Sequence, residues 1–157
     1  MRRNKGVIGV ATIAASAGLV LVACGGSGKT AVLGNTVNHE TIKLSEYKMN
    51  LSSTAVKSGS VVFEGDNIGG TKHEIVLVAA DDPKALPTTA DGKIDEEKIP
   101  ESSKQGEVGE IEVGKTLSHT YNLKPGKYVV FCNLTSPEGG VDVSHFAKGM
   151  SAVITVS

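Results

Sequence analysis

A series of short apolar segments separated by turn residues is the feature that most constrains how this chain can fold. The segment TLSHTYNL alternates cleanly, because Leu117, His119, Tyr121 and Leu123 share one face and polar residues take the other. Successive side chains of a strand point to opposite faces, so this period of two is typical of a half-buried strand. Further short β-branched runs are GSVVFEG, HEIVLVAA, KYVVFC and MSAVITVS. Several short strands between turn signals predict an all-β sandwich or barrel.

One long segment, residues 81–110, does not fit this pattern. It holds three of the five prolines and many charged residues, and only the stretch DEEK at 95–98 indicates a short helix. Loops of this length are unusual in a compact domain and are often functional. We therefore predict a long irregular insertion on the surface at 81–110.

The N-terminus has the pattern of an export signal. Arg2, Arg3 and Lys5 precede an uncharged run, GVIGVATIAASAGLVLVA, that is rich in small residues. A basic start, a short apolar core and small residues before a cleavage point are typical of a secretory signal peptide. The run is shorter than the roughly 20 residues that a membrane-spanning helix needs.

The stretch LVAC at 21–24 resembles the bacterial lipobox, which implies that Cys24 is lipidated and becomes the first residue of the mature chain. The expected organisation is a lipoprotein signal peptide at 1–23, a flexible Gly/Ser-rich tether at 24–40 and one domain at 41–157. We therefore expect an exported protein that is anchored by lipid to the bacterial cell membrane. It would face the periplasm or the cell exterior.

Two classes of ligand are disfavoured by the sequence. The stretch ACGGSGKT at 23–30 is close to a phosphate-binding loop, but such a loop must open a helix. Gly34 and Asn35 would break any helix that followed it, so we predict no nucleotide site. Without the three cations of the signal peptide, 13 Lys plus Arg face 17 Asp plus Glu, a balance that gives no reason to expect nucleic acid as a partner.

Cysteine usage raises the next question. The chain has two cysteines, Cys24 and Cys132. If Cys24 carries lipid, Cys132 is an unpaired thiol in an exported protein, which needs an explanation. It is either an inert core residue, a reactive thiol or a metal ligand.

The residues near the predicted strands favour a metal ligand. Cys132 ends the strand KYVVFC, His73 opens the strand HEIVLV, and His145 and Met150 lie in SHFAKGM before the last strand. Two imidazoles, a thiolate and a thioether are the ligand set of a blue-copper site. Thiolate and thioether suit Cu(I), and imidazole suits both oxidation states.

Three motifs together resemble the cupredoxin family of exported copper proteins, which includes plastocyanins, azurins and sulfocyanins. They are NxGxxxH (Asn67, Gly69 and His73), LKPGKYVVFCN and SHFAKGM, and the resemblance covers about residues 41–157. It implies a Greek-key β-sandwich that holds one copper ion. It also implies one-electron transfer between redox partner proteins. The implied ligands are His73, Cys132, His145 and Met150.

The sequence departs from the family pattern in two places. Twelve residues separate Cys132 from His145, where the family has two to four, although the added closure entropy is only about 1 kcal/mol. Gly139 and Gly140 would let this loop fold back as a flap, which puts the exposure of the His145 edge in question. Glu74 follows His73 where the family often has Asn or Ser, a neighbour that helps to fix the cysteine loop.

The sequence leaves three functions open. The first is a membrane-anchored blue copper protein that carries single electrons. The second is a lipoprotein that binds or delivers copper without redox turnover, and the third is a metal-free β-sandwich that binds another protein. No nucleophile–base pair or motif-placed pair of carboxylates indicates an enzyme, so we expect none. We expect a monomer.

Overall fold

The computed structural model describes residues 38–157, and eleven β-strands account for most of them. The predicted signal peptide, Cys24 and the tether up to residue 37 lie outside the described residues. The strands are β1 (Asn38–Ser45), β2 (Lys48–Leu51), β3 (Ala55–Val56), β4 (Gly59–Asn67), β5 (His73–Ala79), β6 (Lys104–Ile111), β7 (Thr116–Leu123), β8 (Gly126–Phe131), β9 (Thr135–Glu138), β10 (Val141–Ser144) and β11 (Ser151–Val156).

Two mixed sheets and one separate hairpin contain these strands. The four-stranded sheet has the order β2-β1-β4-β7, and the five-stranded sheet has the order β3-β11-β8-β5-β6. β1 pairs with β4, and β3 with β11, in parallel; the other pairs are antiparallel. Strands β9 and β10 pair only with each other among the described residues.

Alternation along the strands builds the main core between the sheets. In β4, Val61 and Phe63 are fully buried, and in β1 Ile42 and Leu44 are. They pack in one cluster with residues of the five-stranded sheet, including Ile75, Leu77, Val130 and Ile154. The cluster joins the two sheets face to face, which is the arrangement of a β-sandwich.

The insertion differs from the prediction at its C-terminal end. Residues 104–111 form β6, which is the edge strand next to β5. The predicted span of 81–110 was therefore too long. Glycine and charged residues in KQGEVGEI hide the strand pattern, since both are depleted in strands. The short helix expected at 95–98 is a single 3-10 turn, Glu96–Lys98.

The insertion is also less superficial than expected. Ile94 and Ile99 are 2% and 4% exposed and pack on the outer face of the five-stranded sheet. There they cover Val76, Val129 and Phe131 in a second apolar cluster. Two of the three inner strands, β5 and most of β8, are consequently buried on both faces.

The first strand begins at Asn38, slightly before the expected domain start at residue 41. Glu40 is fully buried in β1. Its carboxylate accepts hydrogen bonds from the Ser52 hydroxyl at 3.0 Å and the Ser53 backbone N–H at 3.0 Å. Asn38–Glu40 are therefore part of the folded domain. Between residues 38 and 157 no helix has the length and apolar character needed to cross a membrane.

Replacing Gly65 with Ala is expected to destabilise the sandwich. An added Cβ would collide with the Ile111 Cδ1 atom and lie 2.9 Å from the Ile75 Cδ1 atom, and both side chains are fully buried. Overpacking of this kind costs about 1–3 kcal/mol of unfolding free energy. Urea denaturation of Gly65→Ala measures the loss.

Gly109→Ala in β6 is the matched control. An added Cβ there meets no atom within 4 Å. Its unfolding free energy should equal or exceed that of the wild type, because alanine loses less backbone entropy on folding. Equal stability of the two variants would contradict the packing described here.

Candidate metal centre

The pairing of two strands brings the first two candidate ligands together. His73 is the first residue of β5, and Cys132 directly follows β8. The strands are antiparallel neighbours with Val76 opposite Phe131, so the start of one lies beside the end of the other. His73 and Cys132 thus lie at the same end of the five-stranded sheet.

Backbone hydrogen bonds fix the remaining two candidates beside them. His145 follows β10, and its N–H donates to the Leu134 carbonyl at 3.0 Å. The Met150 N–H donates to the His145 carbonyl at 3.0 Å, and the Cys132 N–H donates to the Met150 carbonyl at 3.1 Å. Cys132, His145 and Met150 are therefore tied to one another through the main chain.

Three potential donor atoms converge at this point. The His145 Nδ1 atom lies 3.3 Å from the Cys132 Sγ atom and 3.3 Å from the His73 Nδ1 atom. The ligand atoms of the three residues all lie within 4.8 Å of one another. His73 and Cys132 are fully buried and His145 is 1% exposed. The three side chains are arranged as a site for one metal ion, and both imidazoles present Nδ1 to it.

The other nitrogen of the His145 imidazole agrees with this orientation. The His145 Nε2 atom lies 2.6 Å from the Ser136 hydroxyl oxygen, and a hydrogen bond at one ring nitrogen determines which nitrogen is free for a metal. The His73 Nε2 atom is buried without a hydrogen-bond partner among the described residues, and a metal bond at Nδ1 leaves it so. The fit to a metal ion rests on the donor set, because two buried imidazoles and a thiol with converging donor atoms are ligands that suit copper or zinc.

Burial sets the protonation of the three donors. Burial, helped by the neighbouring His145 and partly opposed by Glu46, lowers the pKa of His73 to about 4. Burial also lowers the pKa of His145. It raises the pKa of Cys132 to about 11, against weaker opposing backbone hydrogen bonds. At neutral pH both imidazoles are therefore neutral and ready to bind a cation, whereas the thiol must release a proton.

The residues that follow two of the candidate ligands form hydrogen bonds that connect the insertion to the site. The Asn133 N–H donates to the Glu74 carboxylate at 2.9 Å, which is the contact expected for the residue after His73. The Asn133 side chain accepts from the Ile94 N–H at 2.7 Å and donates to the Ile94 carbonyl at 3.0 Å and the Glu96 carboxylate at 2.7 Å. The insertion thus fixes the loop that follows the thiol.

The long loop between Cys132 and His145 folds back as the flap that its glycines predicted. Gly139 and Gly140 both have positive φ, 57° and 85°, as a two-residue type I′ turn requires. They join β9 to β10, and Ser136 of β9 contacts the His145 ring. The His145 edge is consequently closed to solvent in this structure.

The structure brings together three of the four predicted ligands as a donor cluster. Met150 is fully buried beside Cys132, and its role as axial ligand stays a prediction. Sequence reasoning missed the contacts of Ser136 and Asn133. Ser136 lies in β9 and Asn133 ends the motif LKPGKYVVFCN, but neither position records the distant partner that its side chain contacts.

Comparison with known proteins supports the fold. No family model matches the chain, and no curated protein matches it in sequence. The auracyanin of the photosynthetic bacterium Roseiflexus castenholzii matches it in structure with a TM-score of 0.55 and 20% identity, over 76% of this chain and 97% of that one. Auracyanin B matches with a TM-score of 0.50 and 19% identity, over 76% of this chain and 88% of that one.

The likeness defines the class of fold. The chain is a β-sandwich of the cupredoxin type with a buried His–Cys–His cluster, which confirms the fold that the sequence predicted. A multicopper oxidase of Aquifex aeolicus also matches, with a TM-score of 0.43 and 11% identity, over 78% of this chain and 30% of that one. That this chain is not an enzyme stays a prediction.

The raised pKa of Cys132 predicts how the stability of the metal-free protein depends on pH. The folded thiol has a pKa of about 11 against an ordinary value of 9.0. Between these values the folded state binds more protons than the unfolded state, so stability falls as pH rises. Each pH unit between the two pKa values corresponds to about 1.4 kcal/mol. Because of Cys132, the unfolding free energy of the metal-free protein should be about 2–3 kcal/mol higher below the ordinary pKa of the thiol than above its folded pKa. The loss occurs as the pH rises through the folded pKa.

Denaturant unfolding of the wild type and of Cys132→Ser between about pH 8 and about pH 11, a range that includes both pKa values of the thiol, measures this contribution. The wild type should lose more stability than the variant, because serine does not titrate there. Parallel curves for the two proteins would contradict the burial of the thiol.

Proposed function

We propose that this protein is a membrane-anchored type 1 (blue) copper protein that carries single electrons between redox partner proteins outside the cytoplasm. The observation that carries the proposal is the buried cluster of His73, Cys132 and His145, whose donor atoms lie within 4.8 Å of one another. The proposed centre holds one ion, which cycles between Cu(I) and Cu(II). The proposed protein is a monomer and is not itself an enzyme.

The donor set favours copper over zinc. Structural zinc sites are closed by four Cys or His ligands, and catalytic ones use three Cys, His, Asp or Glu ligands with a water. The described cluster has three such ligands, as a catalytic zinc site does, but it is closed to solvent and the fully buried thioether residue Met150 adjoins it. A trigonal His₂Cys set with a weak axial Met is the arrangement of blue-copper electron-transfer sites.

The surroundings of the cluster favour electron transfer over copper delivery. All three donors are buried, and the β9–β10 hairpin contacts His145 through Ser136, whereas a delivery site must give up its ion readily to a partner. The auracyanin of R. castenholzii was crystallised in a dithionite-reduced form. We extend a redox role to this chain because of its donor set, since the shared fold does not by itself define a function.

A metal-free binding module does not explain why the His–Cys–His cluster is present. Two imidazoles and a thiol would then lie together in the core with no ligand to bind them. Buried polar groups without partners are rare in native proteins because each costs free energy. A bound metal ion would explain why all three donor residues lie together.

Copper binding is tested with the chain from residue 25 onward. With Cu(II) added, we expect an intense blue or green absorption band, because a copper–thiolate bond produces one. The band should disappear in Cys132→Ala and be lost or strongly shifted in His145→Ala. His119→Ala is the matched control: His119 is an exposed histidine of β7, and its removal should leave the spectrum unchanged.

Other outcomes would favour the alternatives. A colourless protein that still binds Cu(I) through Cys132 would indicate copper handling without redox turnover. A protein that binds neither ion would contradict the proposal and leave the binding module. A band that survives in Cys132→Ala would show that the copper lies elsewhere.

Membrane anchoring rests on the lipobox-like sequence that ends at Cys24. In a bacterial host, we expect the full-length chain to fractionate with membranes and to incorporate a labelled fatty acid. Cys24→Ala should abolish both, because a lipid chain supplies the membrane affinity. Cys132→Ala is the matched control and should remain lipidated. Loss of label in Cys132→Ala alone would contradict the assignment of Cys24.

A further inference from the structure

Tyr47 has a backbone conformation that its residue type does not favour. It is the second residue of the two-residue turn that joins β1 to β2, and its φ is 62°. It is the one residue other than glycine with positive φ in the described part of the chain. This conformation costs a non-glycine residue about 1–2 kcal/mol, and turns normally place Gly or Asn there. The turn itself therefore gives no reason for a tyrosine.

The contacts of the Tyr47 side chain supply a reason. Its ring packs edge-to-face on the His145 imidazole, with centroids 5.5 Å apart and an interplanar angle of 79°. Its hydroxyl donates a hydrogen bond to the carboxylate of Glu138, the last residue of β9. The Lys148 Nζ atom lies 5.7 Å from the ring centroid and 3.9 Å from the Glu138 carboxylate. Strained residues persist where the surrounding structure holds them, and they cluster at functional sites.

The β9–β10 hairpin needs such an anchor. It forms a sheet of its own and has no ladder to either sheet of the sandwich. A lone two-stranded hairpin is at best marginally stable in water, so its position depends on side-chain contacts. The Ser136 hydroxyl contacts the His145 Nε2 atom, and the Ser144 hydroxyl donates to the Gly92 carbonyl at 3.0 Å. Next to the Gly139–Gly140 turn, the Glu138 carboxylate accepts the Tyr47 hydrogen bond, and the Lys148 Nζ atom lies 3.9 Å away.

We propose that Tyr47 is a positioning residue that anchors the tip of the β9–β10 hairpin through Glu138 and thereby keeps His145 enclosed, with its Nδ1 atom facing Cys132. Without Tyr47 the hairpin tip keeps only the longer, half-exposed Lys148 contact to Glu138, and the Ser136 contact to His145 loosens. The two sheets do not depend on the hairpin for their pairing. Loss of Tyr47 therefore opens the site without unfolding the domain. The inference rests on the proposed function only in that the enclosed site is the one to which copper is assigned.

Tyr47→Gly is the sharpest test, because it removes the ring and also relieves the backbone strain. If Tyr47 served the turn alone, this variant would be at least as stable as the wild type and otherwise unchanged. Under the proposal, amide hydrogen exchange at residues 135–144 of the metal-free protein accelerates at least about tenfold, equivalent to about 1.4 kcal/mol of lost protection. Exchange in β5 and β8 stays as in the wild type.

Tyr47→Phe separates the hydroxyl from the ring and keeps the variant close to the wild type in shape. It should accelerate exchange near the hairpin tip while it retains the contact with His145. Glu138→Ala should accelerate exchange at least as much, because it also removes the Lys148 contact. Tyr47→Phe should add nothing further to Glu138→Ala, because the tyrosine hydroxyl has then already lost its partner. Tyr128→Phe is the matched control: it removes a tyrosine hydrogen bond to the Lys124 carbonyl, away from the hairpin, and should leave residues 135–144 unchanged.

A second readout follows copper. In the loaded protein, Tyr47→Gly should release copper to a chelator at least about tenfold faster than the wild type, since local opening governs access, and Tyr128→Phe should release it at the wild-type rate. Unchanged exchange at 135–144 in Tyr47→Gly would overturn the inference. Equal acceleration across the whole domain would also overturn it, because Tyr47 would then support the fold as a whole.

The two proposals can fail separately. If the protein binds no copper but Tyr47→Gly frees the hairpin selectively, the proposed function fails and the anchoring role stands. If copper produces the expected band and the hairpin is unaffected in Tyr47→Gly, the anchoring role fails and the proposed function stands.

Discussion

The antiparallel register between β5 and β8 is the interaction on which the site depends. It places Val76 opposite Phe131 and Leu77 opposite Val130, and it thereby brings His73 to the residue that follows β8. Because side chains alternate across a strand, a slip of one residue would exchange the two faces of a strand. Leu77 and Val130 belong to the main core, whereas Val76 and Phe131 belong to the outer cluster. Both faces of these strands are apolar and buried. A slip that exchanges the two faces would therefore cost less free energy here than in a sheet with one face in water.

The insertion supplies the specificity that this two-sided burial lacks. Ile94 and Ile99 fit the outer face, and the Ile94 backbone forms two hydrogen bonds with the Asn133 side chain. Asn133 directly follows Cys132, so a slipped β8 would break both bonds and the contact of the Asn133 N–H with Glu74. Buried groups left unpaired in this way cost about 1–3 kcal/mol each. A segment that reads as an irregular surface loop therefore helps to define the register that builds the site.

The sequence predicted those parts of the structure that depend on local pattern or on rare chemistry. The alternation of apolar and polar residues predicted β7 at Thr116–Leu123. The thiol and the two imidazoles predicted the cluster, because few roles other than metal binding need these groups together. The sequence did not predict β6, whose glycines and charges suit only an edge strand. The roles of Tyr47 and Asn133 also escaped prediction. Their partners lie far away in the chain, at Glu138 and Ile94, and no local motif records such contacts.

Burial determines the protonation of the donor groups, and it also restricts the path by which an ion reaches them. It keeps the imidazoles of His73 and His145 neutral and available, but it holds a proton on Cys132 because the apolar surroundings disfavour a lone thiolate. A cation that enters compensates the thiolate charge, so the closed site favours the bound state over the empty ionised one. An ion must still reach a cluster that is almost wholly enclosed. The segment that covers His145 is also the segment without a ladder to either sheet, so it can move while the register of β5 and β8 is preserved.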